Sequence, residues 1–88
     1  MNTEKVDAIL EQLEKESYKR RFQKEFEELT ERISKLSAYI DGMKSNLVGD
    51  GDKRETTLEL QLKIQQLKVM EVYREILLSR SEVEDIPL

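Results

Sequence analysis

Ten residues concentrate most of the chain's polar chemistry. Between Lys15 and Lys24 lie five cations, Lys15, Lys19, Arg20, Arg21 and Lys24, against the carboxylate of Glu16, a local balance of +4. Tyr18 and Phe22 are interleaved with them. Guanidinium forks hold phosphate oxygens in pairs, and an aromatic face can stack on a nucleobase. The same spacing also suits a solvated charged joint whose Tyr and Phe pack into a core. On spacing alone the joint is the simpler reading.

A second constellation is "GDKRETTLEL", from Gly51 to Leu60. Asp52 is placed to cap a helix, and Glu55 three residues on completes a capping box. The first turn of a helix has free backbone N–H groups and a positive dipole end, which together attract an anion. Arg54 adds a guanidinium there, and Thr56 and Thr57 add hydroxyl donors. An ordinary capped helix start, with Arg54 in water, would carry the same residues.

Two further groups point to structure rather than chemistry. Glu25, Glu27, Glu28 and Glu31 include a pair, Glu28 and Glu31, on one helix face. Carboxylate metal sites in helical bundles usually add His, and the chain has none. The expected arrangement is a solvated acidic face with Glu28–Arg32 and Glu31–Lys35 pairs at four-residue spacing. No metal or other cofactor is expected. Tyr39 and Tyr73 each lie one residue off an apolar seam and are expected to pack in a core or interface.

The elements that must position these residues are helical. Thr3 is a plausible cap for a first segment whose apolar stripe is Val6, Ile9, Leu10 and Leu13. The stripe fails across "KESYKRR", from Lys15 to Arg21. It resumes in a new phase with Phe22, Phe26, Leu29, Ile33, Leu36, Ile40, Met43 and Leu47, spaced alternately by four and three. That is a coiled-coil-like seam. The phase change predicts a break near Ser17. Gly49 and Asp50-Gly51 supply a cap and a turn. A last helix then carries apolar residues on more than one stripe, more than a single hairpin partner needs to cover. The expected architecture is all-α, with a short N-terminal helix followed by a long antiparallel helical hairpin. Helices are expected at about 3–16, 18–47 and 53–80, forming one domain over 1–80, with an acidic, loosely held tail at 81–88.

Composition narrows the function. The 88 residues carry 15 Lys and Arg against 19 Asp and Glu, a net charge of -4, so wholesale binding to DNA, RNA or an anionic membrane is disfavoured. The absence of Cys and His removes thiolate chemistry and the commonest general base. A binder is favoured over a catalyst, and no catalytic residue is assigned. A 10.4-kDa chain of long helices has little interior of its own, which predicts a homo-oligomer. With no long apolar run and no apolar leader, a cytosolic location is expected.

In order, these features resemble the small helical-hairpin phage proteins that sequester cyclic oligonucleotides and blunt CBASS-type immunity. The resemblance rests on "RRF" (Arg20 to Phe22), the long helix, "RETTL" (Arg54 to Leu58) and "VMEVYREILLSR" (Val69 to Arg80). It implies a homohexamer with one pocket between paired subunits for cyclic dinucleotides and another on the threefold axis for cyclic trinucleotides. It further implies a T-even-type phage source and action in the cytoplasm of the infected bacterium. By position, Arg54 and Thr57 fall on the family's Arg and Ser/Thr at the start of the last helix and are the residues expected near phosphates, and Arg20, Arg21 and Phe22 fall on its Arg-Arg-Phe. Many relatives continue with a Tyr and a Pro-containing loop, where this chain has "QKEFEEL". Tyr18 is a stand-in by chemistry, and Lys24 or Arg32 is the candidate for the next basic residue. An alternative of a different class is a coiled-coil-like adaptor that binds a host protein through its apolar face.

Overall fold

The computed structural model describes residues 3–46 and 53–88, with side chains described at all of these except 46 and 53–56. The cap at Gly49, the turn at Asp50-Gly51 and the cap at Asp52 lie outside the described residues, as do the side chains of Arg54, Glu55 and Thr56. Two helices make up the fold. Helix α1 spans Thr3–Asn46 and helix α2 spans Lys53–Val83. Cross-helix contacts pair Phe22 with Arg80, Thr30 with Arg74 and Tyr39 with Lys63, so the helices run antiparallel.

The break expected near Ser17 does not occur. "KESYKRR" holds neither Gly nor Pro, and a shift in apolar phase does not itself interrupt a backbone hydrogen-bond ladder. The shift has another cause. Tyr18 reaches Glu84, just past the end of α2, so residues before it have no opposite helix whose seam they must match. Residues 3–17 overhang the hairpin by about 22 Å, at 1.5 Å per residue. Their stripe stays open, with Ile9, Leu10 and Leu13 exposed.

The core is one side chain thick. Phe22, Leu29 and Ile40 of α1 face Leu60 and Leu77 of α2, with Phe26, Ile33 and Met70 half-buried alongside. The seam of α2 runs through Leu60, Lys63, Leu67, Met70, Arg74, Leu77 and Ser81, again spaced by three and four. Two of those seven positions are cationic, and each cation lies on an aromatic ring of α1. Lys63 sits 5.0 Å from the Tyr39 ring and Arg74 4.8 Å from the Phe26 ring. Just beyond, Arg80 lies 5.1 Å from the Phe22 ring. Such stacking lets a charged head sit at a seam without burying its charge unpaired.

The first residues of the acidic tail, Ser81 to Val83, extend α2. Asp85 then takes a left-handed backbone with φ 55°. The Ile86 N–H donates to Ser81 O at 2.8 Å and the Asp85 N–H to Glu82 O at 3.4 Å. These are the paired bonds of a Schellman cap, whose usual apolar contact is made by Ile86. Ile86 is 4% exposed and completes the cluster of Phe22, Leu29 and Leu77. Gln23 holds the end down by donating to Pro87 O at 2.7 Å.

Candidate functional site

The basic stretch of α1 meets the end of α2 at the open end of the hairpin. The Tyr18 hydroxyl donates to Glu84 Oε1 at 2.5 Å and accepts from Arg80 Nη2 at 2.9 Å. Arg80 Nε donates to Glu84 Oε2 at 3.0 Å, closing a three-membered network. The hydrogen bond from Tyr18, then that from Arg80, holds the Glu84 carboxyl below its ordinary range. The same bond to Glu84 raises the Tyr18 phenol. Lys15 and Lys19 line a groove here with Glu11, Glu14, Glu84 and Asp85. The local excess of cations along the chain is therefore balanced in space by carboxylates from α1 and from the turn that follows α2.

Each residue singled out from the sequence now has a place. Tyr18 and Phe22 come together, with ring centroids 6.4 Å apart. Phe22 is core, so it shapes the joint and presents no free face to a base. Arg20 and Arg21 are exposed. Lys24 pairs with Glu28 at 3.9 Å, displacing the expected Glu28–Arg32 pair, whereas Glu31–Lys35 forms at 3.0 Å. Arg32 instead lines a groove with Lys35, Lys63 and Tyr39. This groove has three positive residues and no carboxylate in its lining. Thr57 is exposed, near the start of α2. The structure thus brings Tyr18 to Phe22 but leaves Arg32 in a separate groove along the hairpin.

Neither Tyr39 nor Tyr73 is core. Tyr39 is half exposed under Lys63, and Tyr73 donates its hydroxyl to Glu25. That bond to Glu25 raises the Tyr73 phenol. Among the described residues no group of three acidic side chains is placed to hold a metal ion. No described helix is long and apolar enough to cross a membrane.

Sequence reasoning missed Arg80, Glu84 and Arg74. A signal for Arg74 was available, because the three-four register of α2 places a guanidinium where a seam calls for an apolar residue. For Glu84 the signal was the "EDIPL" ending, in which an Asp tolerant of a left-handed backbone precedes an apolar residue and Pro.

Fold and site define a class: a two-helix hairpin whose grooves are lined by cations stacked on aromatic rings. The chain belongs to the Sequestin family, which it matches over residues 16–83, 68 of its 88 residues. The family agrees with the resemblance drawn from "RRF" and "RETTL", both of which lie inside the matched span. The span begins at the basic stretch and ends where α2 ends, leaving residues 1–15 and 84–88 outside it. Among curated proteins and among solved structures, no match to the chain is found.

Proposed function

We propose that the protein is a non-catalytic sponge that binds cyclic oligonucleotide second messengers and withholds them from a host CBASS effector. Membership of the Sequestin family carries this reading, since the family name denotes sequestration. The ligands are cyclic dinucleotides such as cGAMP, together with cyclic trinucleotides. The chemistry required is a cage with cations for the phosphates and apolar or aromatic walls for the bases. One hairpin offers only open grooves, so the cage is completed by further copies in a homo-oligomer, with a hexamer as the proposed form. Arg54 and Thr57 serve phosphate at the start of α2. Arg20, Arg21, Lys24 and Arg32 supply further positive charge, and Tyr18 supplies an aromatic face. The setting is the cytoplasm of a bacterium infected by a T-even-type phage.

The test is calorimetric titration with a panel of cyclic di- and trinucleotides, followed by denaturation and mass analysis of the released ligand. Tight binding with the ligand recovered intact is expected. Arg54→Glu should keep the helical melt of the parent and lose most of that binding. No heat with any member of the panel would sink the sponge. It would favour a coiled-coil adaptor, a reading that the exposed stripe of Val69, Val72 and Ile76 supports.

A further inference from the structure

Arg74 is the unusual residue of the seam. It is half-buried between the helices, stacked on Phe26, and its Nε donates to Thr30 Oγ1 at 3.1 Å. Among the described residues no carboxylate lies within ion-pair distance of it. Glu25, close by on α1, is engaged by the Tyr73 hydroxyl. Its guanidinium stays within reach of solvent, so an anion from solution can meet it, and its remaining N–H groups have no acceptor among the described residues.

Those N–H groups belong to a groove of about 770 Å³, within the range of small-molecule sites. Ser34 and Lys68 line the same groove and, like the terminal nitrogens of Arg74, have no partner among the described residues. Ile33 and Val72 supply apolar wall, and Glu71 and Glu75 line it as well. Three donor groups, two of them cationic, match the several acceptor oxygens of a phosphate. Two cations against two carboxylates leave the groove without net charge, so the seat holds a phosphate through directed hydrogen bonds from the guanidinium rather than through net attraction. The two carboxylates can also accept hydrogen bonds from the amino group of an adjacent base, as carboxylates do with cytosine N4.

We infer that Arg74, with Lys68 and Ser34, forms a seat for a phosphodiester in the groove between the two helices. The inference deepens the sponge reading by giving one ligand phosphate a specific place, and it fails or stands separately from it.

The test follows backbone amide shifts of the intact chain on addition of cyclic GMP-AMP, dimethyl phosphate or 5′-GMP. The seat predicts shifts at Thr30, Ser34 and Lys68 with all three, since each carries a phosphate. Arg74→Met, which keeps side-chain length and seam packing, should weaken diester binding by about tenfold or more, the loss of a hydrogen-bonded charge. Arg74→Lys, which keeps the charge without the fork, should be intermediate and serves if the Met variant does not fold. Groove shifts with dimethyl phosphate but no binding of cyclic GMP-AMP would keep the seat and remove the sponge. Cyclic GMP-AMP binding with no groove shifts would keep the sponge and overturn the seat. Silence from both diesters overturns the seat, as does an Arg74→Met variant that binds like the parent.

Discussion

Tyr18 shows how much a single residue's role depends on what the fold brings to it. In the chain it sits among cations, with Glu16 nearby. In space its hydroxyl is committed to Glu84 and Arg80, residues more than sixty positions away. No local reading can supply such partners. The bond from Tyr18, the main cause, lowers the Glu84 carboxyl, so the tie between tail and α1 contributes stability above the ordinary carboxylate range. That contribution is lost as pH falls through the lowered value. At the other end, the raised Tyr18 phenol keeps its proton, so the tie fails only as pH rises past the ordinary phenol range. Amide exchange at Ile86 should accelerate on acidification, once corrected for intrinsic rate, and Glu84→Gln should abolish that dependence. An unchanged acid profile in the variant would show that another carboxylate governs the tail.

At the scale of elements, the two long helices and their antiparallel pairing were legible because periodicity survives over many turns. The seam from Phe22 to Ile40 is buried or half-buried as its spacing predicts. The break near Ser17 was misread because a phase change looks like an interruption when the partner helix is assumed to run alongside throughout. The partner ends at Val83, and α1 continues beyond it. In the tail, Ser81 to Val83 extend α2 and Ile86 packs on the core, contacts that its charge alone does not predict. Energetics should divide along the same line. Leu77 is fully buried, so Leu77→Ala should cost about 2–5 kcal/mol and leave the fold marginal. Leu13, 56% exposed on the overhang, should cost less than about 1 kcal/mol in the isolated chain, mostly through helix propensity. Denaturant melts of the two variants at low protein concentration would check the contrast. A large loss at Leu13 would mean that something covers the overhang.

The whole molecule is a rod of 74 × 21 × 16 Å with a radius of gyration of 20.6 Å, against about 12 Å for a compact domain of this length. Its accessible surface is 7253 Å², whereas a folded monomer of 10.4 kDa exposes roughly 5,400 Å². The excess, roughly 1,900 Å² for one chain, is about twice the roughly 800 Å² that each partner buries in a standard protein–protein interface. This surplus supports the proposed self-association, and Val69, Val72 and Ile76 form an exposed apolar stripe on α2. Val72→Asp combined with Ile76→Asp should shift sedimentation toward the monomer by placing unpaired charge in the interface. Unchanged sedimentation would move the interface to another face. The proposed completion of the site by further copies would account for the scatter of the candidate residues over one hairpin. The sequence could name them but could not show which copy each would meet.

The Schellman cap joins the two chain ends of the hairpin, Tyr18 and Gln23 on one side and Glu84 to Pro87 on the other. These partners are 64 and 66 residues apart, the longest separations among the hydrogen bonds described. Closing so long a loop costs the most chain entropy and is favoured only after the intervening helices have paired. The tail should therefore dock after the rate-limiting step. Ile86→Ala should speed unfolding in stopped-flow chevrons while leaving the refolding arm nearly where it was. A refolding arm slowed in proportion to the lost stability would place the tail in the nucleus instead.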